Sequence, residues 1–90
     1  MYQYEIQPHL QDIMKKLFKK DPKTRERIIK KIEEIIDSDV EHYKNLRHDL
    51  KDFKRVQIRE KVLVFKFEKD KNLILFEYFD HHDKIYKKRF

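Results

Sequence analysis

Apolar and polar positions alternate over the first residues, with Tyr2, Tyr4 and Ile6 set against Gln3, Glu5 and Gln7. Period two predicts a half-buried strand. Pro8 closes that run and suits the first turn of a helix. The period then lengthens: Leu10, Ile13, Met14, Leu17 and Phe18 recur three and four apart, which predicts one core-facing stripe on a helix. Asp21-Pro22 is a restart, with Asp as cap and Pro in the first helical position. Ile28, Ile29, Ile32, Ile35 and Ile36 form a second stripe before Asp37-Ser38-Asp39 breaks the helix. Two helices joined this tightly make a hairpin. The pair cannot bury both stripes by itself, so both are expected on a sheet.

Residues 40–52 show no sustained period and read as a connection. Three strand-like runs follow, Phe53–Arg59, Val62–Glu68 and Leu73–Phe79. In the first, Val56 and Ile58 face one way while Arg55, Gln57 and Arg59 face the other. In the second, Leu63, Phe65 and Phe67 share a face opposite Val62, Val64, Lys66 and Glu68. The polar turn Lys69-Asp70-Lys71-Asn72 joins the second and third runs as an antiparallel hairpin. The third run is apolar except for Glu77, as expected of a central strand buried on both sides. The expected fold is α+β: an N-terminal strand, a helical hairpin, then a three-stranded antiparallel meander, with the helices on one sheet face. The other face, lined by Arg55, Gln57 and Arg59, is expected to stay partly open.

Ninety residues make a single expected domain over 1–90. No apolar run approaches the length of a membrane span. No basic-then-apolar leader precedes the first strand, which predicts a cytoplasmic address. Without cysteine there is no disulfide and no thiolate metal site. Without glycine, the phosphate-cradling loops of the Walker and dinucleotide types are excluded. The net charge of +6 is uneven: residues 1–40 carry nine Lys/Arg against eight Asp/Glu, and residues 41–90 carry fourteen against nine. The basic excess therefore sits with the strands and the tail, as for a polyanion-binding face.

The run Asn45-Leu46-Arg47, the strand Phe53-Lys54-Arg55-Val56-Gln57-Ile58-Arg59, the hairpin strand Val62–Phe67 and the closing Asp80-His81-His82-Asp83-Lys84-Ile85-Tyr86 stand in the order of a known group. In these residues, and in element order and length, the chain resembles the RelE/ParE toxin superfamily of toxin–antitoxin systems. The resemblance implies a cytoplasmic toxin held inactive by a RelB-like antitoxin. For the RelE branch it implies metal-free, cofactor-free cleavage of mRNA in the ribosomal A site. The branch's strand-borne basic positions match Arg55, Gln57 and Arg59, its late arginine falls on His82, and its final tyrosine falls on Tyr86. Its arginine at the start of the following strand falls near Val62, so that group is missing here.

Metal-free RNA cleavage uses the ribose 2′-hydroxyl as nucleophile. It needs a base for that proton, a cation on the phosphoryl oxygens and an acid for the leaving 5′-oxygen. Histidine suits either proton role, arginine suits the phosphate, and an aromatic ring can stack on an unpaired base. The expected catalytic set is His82, Arg55, Arg59 and Tyr86. Arg55 and Arg59 share a strand face about 13 Å apart on this reading. Lys54, Gln57, His81, Lys87, Lys88 and Arg89 are the expected RNA contacts. Read without the resemblance, His82 is a turn histidine, the arginines are a solvated strand face, and Tyr86 docks the tail. Adjacent His81 and His82 with one Asp do not make a three-ligand metal site. His48 is a weaker candidate, and His9 and His42 read as surface residues. The rival functions are a ParE-like gyrase inhibitor and an inactive module that only binds RNA or antitoxin.

Overall fold

A computed structural model describes residues 2–47 and 50–87. Strand β1 (Gln3–Ile6) leads into helix α1 (Pro8–Lys20). Asp21 alone separates α1 from helix α2 (Pro22–Ile36). Its carboxylate accepts from the Thr24 hydroxyl at 2.6 Å and the Thr24 N–H at 3.2 Å. These bonds hold the Asp21 carboxyl below its ordinary range. The expected cap and proline thus both fall where the sequence places them.

Strands β2 (Phe53–Ile58), β3 (Lys61–Glu68) and β4 (Leu73–Asp80) form the antiparallel meander. Strand β1 adds to β4 in parallel, giving a mixed sheet of order β1-β4-β3-β2. Both helical stripes pack on one face. Leu10, Met14, Ile28, Ile32, Ile35 and Ile36 meet Ile58, Leu63, Phe65, Ile74, Phe76 and Phe79. Phe18 departs from the expected stripe. It lies 65% exposed, because α1 ends two residues later and the chain turns away into α2.

Two irregularities set what faces where. Val64 pairs with Tyr78 but Phe65 pairs with Phe76, so Glu77 is an extra residue in β4. A bulge of this kind shifts the alternation. It turns Phe79 to the helices and Tyr78 to the opposite face. The second lies at Arg59. Ile58 pairs with Lys61, so β2 and β3 are joined by Arg59-Glu60 alone. Two-residue hairpins need a positive φ. With no glycine in the chain, Arg59 adopts φ 59°, at a cost of roughly 1–2 kcal/mol. The strand therefore stops at Ile58, and Arg59 is not on the β2 face that carries Arg55. That corrects the expectation of a shared strand face.

The connection is more ordered than its lack of period suggests. Val40 is fully buried in the helix-side core. Asn45 bridges to Lys54, the Leu46 N–H donates to the Phe53 carbonyl at 2.8 Å, and the Arg55 N–H donates to the Lys44 carbonyl at 2.9 Å. This short segment covers part of the β2 edge. It also delivers Leu46 to the sheet face away from the helices.

Candidate functional site

The face opposite the helices carries its own small core. Leu46, Val62, Val64 and Ile85 are buried there, with Leu50, Phe53, Tyr78 and Tyr86 packed against them. Ile85 comes from a short C-terminal helix, α3 (His82–Ile85), which lies after β4. The expected open face is thus partly covered by the tail. The cover is polar as well as apolar: the Arg47 N–H donates to the Tyr86 hydroxyl oxygen at 2.9 Å. The docking role of Tyr86 is therefore real, whatever else the ring does.

Arg55 lies opposite Val64, and Val64 lies opposite Tyr78. Paired positions in an antiparallel sheet share a face, so Arg55 stands on the same surface as the tail cluster. His82 opens α3, with its ring edge-on to Tyr86 at 5.2 Å between centroids and 77° between planes. The fold brings Arg55, His82 and Tyr86 to one side of the sheet. Among the described residues, His82 Nε2 is the buried side-chain polar atom that has no hydrogen-bond partner.

The other expected contacts are dispersed. Gln57 shares the Arg55 face, opposite Val62, and its amide donates to the Arg59 carbonyl at 2.8 Å. Lys54 points to the helix side, opposite Phe65, with its ammonium on the Tyr43 carbonyl at 3.2 Å and Asn45 Oδ1 at 2.8 Å. Both its acceptors belong to the connection, so this cation is occupied in holding the β2 edge. Arg59 lines a cavity of about 240 Å³ with Asp21, Thr24 and Arg27, at the end of the sheet beside the α1–α2 junction. His81 precedes α3, and its N–H donates to Asp80 Oδ1 at 2.7 Å. Lys87 is exposed at the end of the tail. Lys88, Arg89 and His48 lie outside the described residues.

Three features of this face lie outside the expected site. Lys66 Nζ stands 5.8 Å from the Phe53 ring centroid. His9 lies at the rim, 5.7 Å from the Tyr78 ring. Glu77, the bulge residue, has its carboxyl held above the ordinary range by burial, against the pull of Lys66 and His9 and with a further push from Glu68. A bulge leaves no periodic signature, so only the isolated acid in an apolar run hinted at it. The start of β3 supplies no cation to this face. Val62 is 2% exposed, and Lys61 lies on the helix side with Nζ 5.6 Å from the Phe79 ring.

Comparison with known proteins decides the family. The chain is 51% identical over 90 residues to a chain of Methanocaldococcus jannaschii that carries the toxin name RelE4, covering 99% of this chain and 95% of that one. It belongs to the RelE toxin family. An uncharacterized protein of Methanosarcina mazei is 39% identical over 87 residues, covering 96% of this chain and all of that one. No family profile matches the sequence. Among solved structures, the isolated E. coli RelE toxin superposes with a TM-score of 0.67 at 19% identity, over 97% of this chain and 93% of that one. A chain of the Mycobacterium tuberculosis RelBE2 toxin–antitoxin complex gives 0.62 at 17%, over 90% of this chain and 98% of that one. These likenesses establish the α+β fold of this RelE-family chain. Among the described residues no helix is long and apolar enough to cross a membrane.

Proposed function

We propose that this RelE-family chain is the toxin of a type II toxin–antitoxin pair. On this reading it is a cytoplasmic, metal-independent endoribonuclease that cuts mRNA in the ribosomal A site, and a RelB-like antitoxin restrains it. The observation that carries the reading is the assembly of Arg55, His82 and Tyr86 on one sheet face from β2 and the tail. Arg55 makes no ion pair within the protein among the described residues, so its guanidinium is available to two phosphoryl oxygens. In the cleavage step the 2′-hydroxyl gives its proton to solvent water, its oxygen forms a bond to phosphorus, and the bond to the 5′-oxygen breaks to leave a 2′,3′-cyclic phosphate. His82 gives its proton to that leaving oxygen. Tyr86 holds the imidazole edge-on and offers a ring for an adjacent unpaired base. Gln57 and Lys87 contribute general contacts, as do Lys88 and Arg89 at the end of the chain. Arg59 is displaced from this face and serves at most a flanking phosphate.

Expression of the wild-type chain should arrest growth and produce ribosome-associated mRNA cuts. His82→Ala or Arg55→Ala should lower the cleavage rate by about 10²-fold or more. Undiminished cleavage in both variants sinks the site assignment. A second reading follows from buried Val62: with no cation on the Arg55 face at the start of β3, the fold also suits a ParE-like gyrase inhibitor. Gyrase inhibition in vitro with mRNA left intact selects that reading.

A further inference from the structure

The far side of the molecule carries a surface that the cleavage reading does not use. Phe18 is 65% exposed on α1, and Arg25 of α2 stands over its ring at 5.4 Å from the centroid. Beside it runs a groove of about 490 Å³ lined by Met14, Lys15, Lys16, Phe18, Lys19 and Arg25. Four of those six residues are cations and none is an acid. The half-chain tally conceals this, because residues 1–40 are nearly neutral in sum. Folding sorts the charges, and the groove takes only one sign.

Lys19 lies in the last turn of α1, where a cation complements the helix dipole. That accounts for neither Lys15 and Lys16, a turn earlier, nor Arg25 on the next helix. It does not account for an exposed phenylalanine among them either. Large exposed apolar groups ringed by charge mark contact sites. An aromatic ring flanked by cations is the pairing that holds unpaired bases by stacking and their phosphates by charge. We propose that the α1–α2 groove binds single-stranded RNA, with a base on Phe18 and the flanking phosphates on Lys15, Lys16 and Lys19. The site lies on the helix side, across the sheet from Arg55, and binds without cutting. It goes beyond the cleavage reading and does not depend on it.

The probe is a fluorescein-labelled 12-nucleotide 2′-O-methyl RNA, which has no 2′-hydroxyl to attack its own phosphate. Binding is followed by anisotropy across a salt series, with a duplex of the same sequence as comparison. Phe18→Ala should weaken binding of the single strand about fivefold or more and leave duplex binding unchanged. The triple variant Lys15→Ala/Lys16→Ala/Lys19→Ala should flatten the plot of log affinity against log salt by about two units of slope. All four side chains are exposed, so unchanged thermal melts serve as the folding control. Wild-type affinity and slope in both variants overturn the proposal. So does a loss of binding produced by Arg55→Ala alone, or a duplex bound as tightly as the single strand with Phe18→Ala silent. A synthetic Glu/Leu amphipathic helical peptide is titrated in parallel, and loss of its binding in both variants with RNA binding intact overturns the RNA assignment in favour of a protein partner. Because the probe cannot be cleaved, these outcomes are independent of whether His82 and Arg55 cut mRNA.

Discussion

His82 presents a buried nitrogen with no hydrogen-bond partner among the described residues. A buried polar atom left unpaired costs about 1–3 kcal/mol, and such atoms in native proteins call for a reason. An atom this enclosed does not reach a leaving oxygen, so the cost belongs to the packing of the tail and proton transfer by His82 falls to its other ring nitrogen. His82→Phe keeps the ring and removes the nitrogens. It should raise the unfolding free energy by about 1 kcal/mol while abolishing mRNA cleavage. Thermal melts and a cleavage assay on one preparation check both halves. A destabilised His82→Phe protein contradicts the account of Nε2. Arg59 carries strain of another kind, a positive φ forced by a two-residue turn in a chain without glycine.

At the scale of elements, the bulge in β4 does most to arrange the two faces. It inserts Glu77 and so sends Phe79 to the helices and Tyr78 to the tail cluster. The insertion half-buries a carboxyl, and burial raises its pKa. A raised carboxyl binds its proton more tightly folded than unfolded. Stability is therefore greatest below the unfolded pKa and falls as pH climbs through the folded one. Glu77→Gln removes that loss. The variant should melt higher than wild type at neutral pH, and the difference should vanish under acid conditions where both side chains are neutral. A pH series of melting temperatures tests the sign, and a constant difference across it would show that burial is not the cause. Periodicity located β1, α1, α2, β2, β3 and β4 to within a few residues, because caps, prolines and alternation are local, and it gave no sign of α3. It missed the bulge, the two-residue turn at Arg59 and the order in residues 40–47. Each of these is decided by what lies across the sheet.

At the scale of the molecule, two cores of unequal size share one sheet. The larger joins both helices to the sheet, and the smaller joins Leu46, Val62, Val64 and Ile85 from segments far apart in sequence. The smaller one holds α3, and with it His82 and Tyr86, over the face that carries Arg55. Ile85 is fully buried there. Ile85→Ala should cost about 2–5 kcal/mol. It should release the tail before the rest unfolds, since no other α3 residue is buried. Hydrogen exchange should show faster exchange in residues 82–86 and unchanged protection in α1 and α2. Equal loss of protection everywhere would mean that the two cores unfold as one.

The local pattern of the chain determined its elements, its class and the alternation that puts Arg55 opposite Val56. These follow from residue spacing and from the chemistry of caps and prolines. Resemblance carried by short runs pointed to the family and to His82 and Tyr86. Tertiary structure alone decided which cations remain available. It withdrew Lys54 into the connection, moved Arg59 off the strand, shielded His82 Nε2 and gathered the α1 lysines around an exposed ring. Those outcomes depend on distances between segments remote in sequence, and no window along the chain contains them.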